Sequence, residues 1–438
     1  MSSNRKIYKE GDYTIESLDI TSLVSGKRVS IIKLFKTIDI YEDMFSSYIT
    51  AKLNMTDGLN LPEYLPITGQ ERVSIVFSPD IEEFEKTQLV FRVYKLDDHS
   101  IDERGENQEY TLHLISEGGY FNYTEKCGYS LSGSTSNMVA RIFSKHFPEQ
   151  VWQNKIDIEE TMDNYSFIFP LNNSPLASIS WLTTKAFSRE GKEYSPYLFY
   201  ETFDGYSFKS LEKIIKDGSV DILPYFYISP NVPKKGNSSP YSSVLPAIYH
   251  QVQNLSEISR FDVSEHIMFG TISSSLNVHD IVRKQLRTVE FVESEIFNEK
   301  IKLGKGSFFR EGTDSESYRL TDRGSSIFYH PSASYTVWTP SNNITDNSKI
   351  ESLHNYRNYH LNSMITQRIS IDIFGDNRKR VGDVIRLFVP KLVVDGWIES
   401  DKSDSNLSGE FVITAVRHML GSAYMCRLEL SRNCMGVE

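Results

Sequence analysis

The sequence predicts a mainly β protein with a mixed α+β domain in its middle. Tyr and Phe, 25 of each among 438 residues, are both enriched in strands. In residues 48–55 apolar side chains at the odd positions alternate with more polar ones at the even positions, which is the period of a half-buried strand. From residue 118 to residue 148 the period changes to that of a helix, so a mixed domain begins near residue 120.

Length and charge limit the number of domains and the kinds of partner that the chain is expected to have. A chain of 438 residues is expected to form two to four domains. The net charge of −11 argues against a protein that neutralises nucleic-acid phosphates. Three cysteines are too few for a disulfide framework, and the N-terminus lacks a signal peptide. We therefore expect a protein that is made in a cytoplasm and has no membrane segment.

The first part of the chain is predicted to be a small barrel or sandwich. Residues 1–12 form a polar tail, and residues 13–116 consist of short alternating strands with polar turns. Within them, residues 89–96 and 109–116 form an antiparallel pair around the charged loop 97–108.

The middle of the chain is predicted to contain two helices and an aromatic hairpin. The first helix is capped by one of residues 134–136 and ends before Pro148. The second begins at Pro175 after a possible cap in residues 172–174. A strand, a tight turn at Asp204–Gly205 and a returning strand follow, in residues 197–211.

The last part of the chain returns to strands. We expect a linker in residues 229–245, strands with a short helix in 251–293, a loop-like insertion in 302–348 and a helix that ends near residue 365. Alternating strands follow, and residues 409–420 and 423–433 form the closing hairpin.

No group of residues predicts an active site, a metal site or a cofactor site. Possible candidates each have a simpler structural reading as a charged turn, a surface or packed histidine, a Gly turn or a packing residue. They are the acidic cluster Asp97, Asp98, His99, Asp102, Glu103 and Glu106, the histidines His354 and His360, the LGKGSFF run at 303–309, the cysteines Cys127 and Cys426, and Trp181. Paired carboxylates for glycoside cleavage stay open, because any two acidic residues can meet in a fold.

Three stretches resemble one family of proteins. PLASISWLTTKAFS (175–188) with YLFYETFDGYSFKSLEKI (197–214) resembles the middle domain of baseplate hub proteins from contractile-tailed bacteriophages. The stretch 39–77, DIYEDMFSSYITAKLNMTDGLNLPEYLPITGQERVSIVF, resembles the first tail-tube-like barrel of that family. The pattern GD…VGD-I (375–385) with GEF-I-V-H (409–418) resembles the end of its second barrel. The head of type VI secretion spike proteins shares this fold.

The resemblance implies two tail-tube-like β-barrels joined by a mixed helix and hairpin domain. The expected limits are an N-terminal tail at 1–12, a first barrel at 13–120, a middle α+β domain at 121–249, the start of a second barrel at 250–301, an insertion at 302–348 and the rest of the second barrel at 349–438. It also marks eleven structural signature residues: Pro175, Trp181, Tyr200, Asp204, Gly205, Tyr206, Gly375, Asp376, Gly382, Asp383 and His418.

The function implied by the resemblance is structural rather than enzymatic. Such a hub is a homotrimer whose pseudo-sixfold ring adapts a sixfold tail tube to a threefold central spike and lets DNA pass. Expected partners are further copies of the chain, the spike, the tail tube or its initiator, the tape measure protein and the baseplate wedge. The location would be the tail baseplate of a virion assembled in host cytoplasm. Alternatives are a tail-associated cell-wall or polysaccharide hydrolase and a type VI-like spike hub.

Overall fold

A computed structural model describes most of the chain. The described residues are 11–80, 84–102, 107–148, 156–188, 195–218, 224–227, 234–235, 249–280, 284–296, 302–304, 306–307, 326–332, 348–392 and 398–434. Most of the predicted tail, linker and insertion lies outside these ranges, as do Glu103 and Glu106 of the acidic cluster.

The described residues of the first part form seven strands, as the strand-rich prediction expects, and in addition one short helix. They are β1 (Tyr13–Thr21), β2 (Arg28–Ser30), β3 (Phe35–Asp43), β4 (Thr50–Asp57), α1 (Leu61–Tyr64), β5 (Arg72–Pro79), β6 (Thr87–Ile101) and β7 (Gln108–Ser116). The alternation predicted for residues 48–55 is confirmed, because Ala51, Leu53 and Met55 are buried while Lys52 is exposed. Strand β6 runs five residues further than predicted, so Asp97 to Ile101 extend the ladder with β7 instead of opening a loop.

The described residues of the middle part form four helices and five short strands. They are α2 (Glu117–Thr124), β8 (Ser130–Gly133), α3 (Thr135–His146), β9 (Ile156–Ile158), β10 (Tyr165–Ile168), α4 (Pro175–Thr183), β11 (Tyr197–Thr202), β12 (Gly205–Ser210) and α5 (Leu211–Asp217). Ser134, Ser174 and Ser210 cap α3, α4 and α5 by accepting a backbone N–H three residues further on. The apolar faces of α3 and α4 pack with the aromatic hairpin β11–β12 in a core of their own.

The last part of the chain supplies thirteen more described strands and three helices. They are β13 (Tyr225–Tyr227), β14 (Lys234–Lys235), β15 (Gln251–Val252), β16 (Asn254–Ser259), α6 (Val263–Met268), β17 (Ser273–Asp280), β18 (Gln285–Val292), α7 (Glu293–Ile296), β19 (Ser326–Ser332), α8 (Ser348–Met364), β20 (Gln367–Phe374), β21 (Val384–Phe388), β22 (Pro390–Leu392), β23 (Ile398–Ser403), β24 (Gly409–Leu420) and β25 (Tyr424–Arg432). Part of the predicted insertion is therefore a strand, β19, which pairs in parallel with β17.

One 14-stranded sheet contains strands from both ends of the chain. Its main path runs β15-β13-β21-β24-β3-β4-β7-β6-β5-β1-β2, and a branch leads from β24 through β25 and β20 to β16. The antiparallel ladder between β3 and β24, from Ala415↔Asp43 to Leu420↔Ile38, joins the two halves. Their apolar side chains accordingly form a single large core.

The predicted fold class is confirmed in its coarse form, a mainly β chain with a mixed middle part. The described strands form an open sheet and no closed barrel. Because β3 and β24 hydrogen-bond along their length, the two sheet halves are continuous instead of separate.

The middle core gives a test of packing. Phe143 is 1% exposed, and its ring lies 4.6 Å from that of Phe147 and 4.8 Å from that of Tyr206, measured between ring centroids. We expect Phe143→Ala to lower the free energy of unfolding by about 3–5 kcal/mol, because it removes buried surface and leaves a cavity. Urea unfolding measures the loss. Ser144→Ala, on the exposed side of the same helix, is the control, and equal losses for the two variants would contradict the packing.

Candidate functional site: a buried joint between the hairpin and the 375–383 loop

Most of the signature residues meet at one place, which we call the joint. It consists of hairpin residues 200–205, the loop 375–383 between β20 and β21, Glu42 on β3 and His418 on β24. The hairpin turns tightly because Gly205 has a φ of +128°, a left-handed value that glycine adopts without strain. The joint therefore connects the middle part of the chain to both halves of the large sheet.

Glu42 is the carboxylate at the centre of the joint. Its side chain is 1% exposed and accepts hydrogen bonds from the backbone N–H of Phe203 at 3.0 Å and of Val381 at 3.4 Å. One carboxylate thus holds the hairpin turn and the 375–383 loop against β3. Burial raises the pKa of Glu42 to about 7, while the nearby positive charge of Arg380 acts in the opposite direction.

Arg380 closes the joint on its outer side. Its guanidinium donates to both oxygens of Asp204, at 2.8 and 3.2 Å, and lies 4.8 Å from the centroid of the Phe203 ring. Its backbone N–H donates to Asp383 at 2.9 Å. The paired geometry and the aromatic contact are those for which arginine, and not lysine, is suited.

Two glycines of the joint leave room for tyrosine side chains. A Cβ on Gly382, which has a φ of +97°, would lie 2.8 Å from the Tyr200 hydroxyl. A Cβ on Gly375 would lie 2.0 Å from the Tyr424 ring, while the Gly375 N–H donates to the Tyr424 carbonyl at 2.9 Å. A side chain at either position would push the loop away from its neighbours.

His418 is buried behind the hairpin turn. Its ring centroid lies 4.6 Å from that of Phe203, and its Nδ1 is 2.8 Å from the Tyr424 hydroxyl and 3.2 Å from Cys426 Sγ. Burial lowers the pKa of His418 to about 3, and raises that of the Cys426 thiol to about 12. A neutral imidazole beside a protonated thiol packs the joint and supplies no nucleophile.

The remaining loop carboxylate is held within the loop itself. Asp376 is 2% exposed and accepts from the Arg378 guanidinium at 3.0 and 3.1 Å and from its backbone N–H at 2.9 Å. Its carbonyl accepts from Cys426 Sγ at 3.7 Å. The loop therefore enters the joint with its own conformation fixed.

A second carboxylate of the hairpin attaches it to the first half of the sheet. Glu201 accepts from the Ile49 backbone N–H at 2.8 Å and from the Ser116 hydroxyl at 2.5 Å. Burial is the largest cause that raises the pKa of Glu201, to about 7. Glu201 also lines a cleft of about 520 Å³ with Arg72 and Tyr206.

Three signature residues lie outside the joint. Tyr206 belongs to the same hairpin but its ring stacks on Phe199 in the middle core. Pro175 is the first residue of α4, and Trp181 on that helix is 40% exposed with its ring edge-on to Phe167 at 4.7 Å.

Sequence reasoning missed Glu42, Arg380 and Glu201. Glu42 had a readable signal, because it follows Ile38 and Ile40 on the inward positions of β3. A charged side chain on a buried strand face needs hydrogen-bond or ion-pair partners. The sequence alone therefore identifies Glu42 as a candidate for such a network.

The chemical candidates from the sequence are not assembled into a reactive centre. Cys127 Sγ lies 3.5 Å from His146 Nε2, and His146 Nδ1 lies 3.0 Å from Glu125, but Cys127 is fully buried and Tyr129 is 2.9 Å from the same Nε2. In the described part of the chain, no three His, Cys, Asp or Glu residues are placed to hold a metal ion.

Other candidates are ordinary surface or helix residues. The Lys95 ammonium binds Asp97, and His99 Nε2 lies 3.0 Å from the side-chain oxygen of Gln108. His354 and His360 lie on α8. None of the helices within the described ranges has the length and apolar character that a membrane span needs.

Comparison with known proteins identifies solved structures with a similar fold. No protein-family model and no curated protein sequence matches the chain. Among solved structures, the 43 kDa tail protein of prophage MuSo2 from Shewanella oneidensis is similar with a TM-score of 0.53 and 10% identity, over 95% of this chain and 98% of that one. A tail protein from Neisseria meningitidis MC58 is similar with a TM-score of 0.51 and 9% identity, over 96% of each chain.

Both neighbours are tail proteins, one of them from a prophage, as the sequence resemblance to tail hubs predicts. The likeness covers nearly the whole chain, so it includes both halves of the sheet. At this level of identity it establishes the fold.

The glycine of the joint gives a test of its geometry. We expect Gly382→Ala to cost about 1–3 kcal/mol more than Gly133→Ala in urea unfolding. Both residues have positive φ, but a Cβ on Gly133 meets nothing within 4 Å, whereas one on Gly382 meets the Tyr200 hydroxyl. Equal costs would mean that Tyr200 and the loop do not pack as described.

Glu42 and Glu201 make the joint sensitive to pH. Both have folded pKa values raised to about 7 from 4.5, so their stabilising contribution is complete below pH 4.5 and is lost as the pH rises through 7. Each contributes up to about 3 kcal/mol across that window.

The two carboxylates are therefore expected to lower the free energy of unfolding from about pH 5 to pH 8, against the opposite contribution that the lowered pKa of His418 makes below pH 6.5, and Glu201→Gln should remove part of this lowering. Chemical unfolding at a series of pH values measures it. Glu410→Gln, on a partly exposed strand residue, is the control. A Glu201→Gln profile parallel to that of the unmodified chain would contradict the burial of this carboxylate.

Proposed function

We propose that this chain is a structural hub subunit of a contractile phage tail, forming a trimeric ring that adapts the tail tube to a central spike. The observation that carries the proposal is the fold likeness to two tail proteins over at least 95% of this chain. The joint supports it, because its buried charges are committed to holding segments together rather than to chemistry.

Strand pairing supports two similar units in each subunit. In the first half, six strands pair in the order β3-β4-β7-β6-β5-β1. In the second half, β13-β21-β24-β25-β20-β16 is also a run of six, and β15, which pairs with β13, is separated from β16 only by Gln253. Two six-stranded units in each of three subunits would present six similar faces to a sixfold tube.

The proposed domain limits assign all but one strand of these units. We propose barrels at 13–120 and at 250–301 with 349–438, a middle domain at 121–249 that contributes β13 to the second barrel, and an insertion at 302–348. The middle core of α3, α4 and the hairpin supports the separate middle domain. The Tyr424 N–H, which donates to the Gly11 carbonyl at 2.8 Å, supports a first unit that curls back towards the second.

The proposed hub role also implies the partners of the chain and its location. The ring would sit in the tail baseplate of a virion assembled in host cytoplasm, between the spike and the tube or tube initiator, beside the tape measure protein and the wedge. The net charge of −11 supports a bore that repels DNA phosphates, so that DNA passes without specific binding. The signature residues act here as structural residues, and no catalytic residue, metal or cofactor is part of the proposal.

Solution mass and imaging test the proposal. We expect light scattering of the purified chain to give three times the 50.4 kDa mass of one copy, and negative-stain images to show rings with a central hole. A candidate spike protein should bind the ring on its axis. Clearing of a cell-wall suspension by the same preparation would contradict a purely structural role, and a compact monomer that stays monomeric with the spike would contradict the ring.

A further inference from the structure

Strand β2 leaves one end of the large sheet exposed. It pairs with β1 over residues 28–30, and no described strand pairs with its other edge. Leu23 and Val24, just before it, are 52% and 70% exposed. Residues 22–33 carry Lys27, Arg28 and Lys33 and no acidic residue. We call this segment the basic edge.

Strand β16 leaves a second edge exposed at the end of the branch. It pairs with β20, and its other edge has no partner among the described strands. Ile258, Phe261 and Met268 beside it are 48%, 63% and 71% exposed. Residues 254–269, which we call the acidic edge, carry one Arg against the acidic residues Glu257, Asp262 and Glu265.

The two edges complement each other in three respects. Each offers unpaired backbone N–H and C=O groups, which favour addition of another strand. Each has exposed apolar side chains next to the free edge, which would be buried by a partner. Their net charges are opposite, so the basic edge attracts the acidic edge and repels another basic edge.

We propose that the basic edge of one copy of this chain pairs with the acidic edge of a second copy. Pairing of unlike edges is head-to-tail, and head-to-tail contacts close into rings when the rotation between copies allows it. Pairing of two basic edges would instead bring Lys27 and Lys33 of each copy together, because Arg28 is already paired with Asp19, and would give a twofold dimer. The inference rests on the proposed ring and identifies the contact that closes it.

Charge reversal on each edge tests the pairing. Lys27→Glu with Lys33→Glu makes both edges acidic, and Glu257→Lys with Glu265→Lys makes both basic. Lys27, Lys33 and Glu265 are exposed and Glu257 lies in a surface ion pair with Arg260, so folding should be retained, which circular dichroism checks. We expect each double variant to associate at least about tenfold more weakly in sedimentation equilibrium. The combined fourfold variant, which swaps the two signs, should recover association.

A matched control separates the edges from overall charge. Lys126→Glu with Lys391→Glu makes the same change in net charge as the Lys27→Glu, Lys33→Glu variant, on exposed residues outside both edges, and should associate like the unmodified chain. Rings that persist in both edge variants would overturn this inference and leave the proposed ring intact. Weakening in the edge variants without recovery in the fourfold variant would overturn it as well. An unmodified chain that stays monomeric at all soluble concentrations would overturn self-pairing, and the spike-binding experiment then decides the proposed function separately.

Discussion

The rest of the structure depends on the ladder between β3 and β24. It pairs strands that lie more than 370 residues apart in the sequence, as the Arg417–Asp39 contact across it shows with a separation of 378. On the same strand β3, the buried Glu42 carboxylate receives the hairpin turn and the 375–383 loop. Without this ladder, the two sheet halves would no longer be joined. The hairpin and the loop would then no longer be held to both halves through β3.

The side chains of the joint hold chain segments together and are not arranged for a reaction. Its carboxylates accept from backbone N–H groups or from arginine, its histidine is neutral and its thiol stays protonated. Such a network becomes costly when one member is lost, because the remaining buried charge has no partner.

Local elements could be predicted from the sequence because their periods are local. The serine caps, the alternation in β4 and the glycine turn at Asp204–Gly205 each depend on a few neighbouring residues. Strand partners could not be predicted that way, since an alternating strand shows which face is buried but not which strand it meets. For the same reason the sequence identifies the signature residues one by one. Only the fold shows that they lie beside Glu42 and Arg380. Strand β19 lies in a stretch with weak periodicity. It is stabilised by its parallel pairing with β17.

In the proposed ring, each subunit contributes two equivalent sheet units around the tail axis. A cryo-electron microscopy reconstruction of the assembled protein with its spike tests this most directly. We predict three copies with six sheet units at equal intervals and equal radius, three from residues 13–120 and three from the second half. A reconstruction that places the second-half units at another radius, away from the ring of the first, would contradict the account.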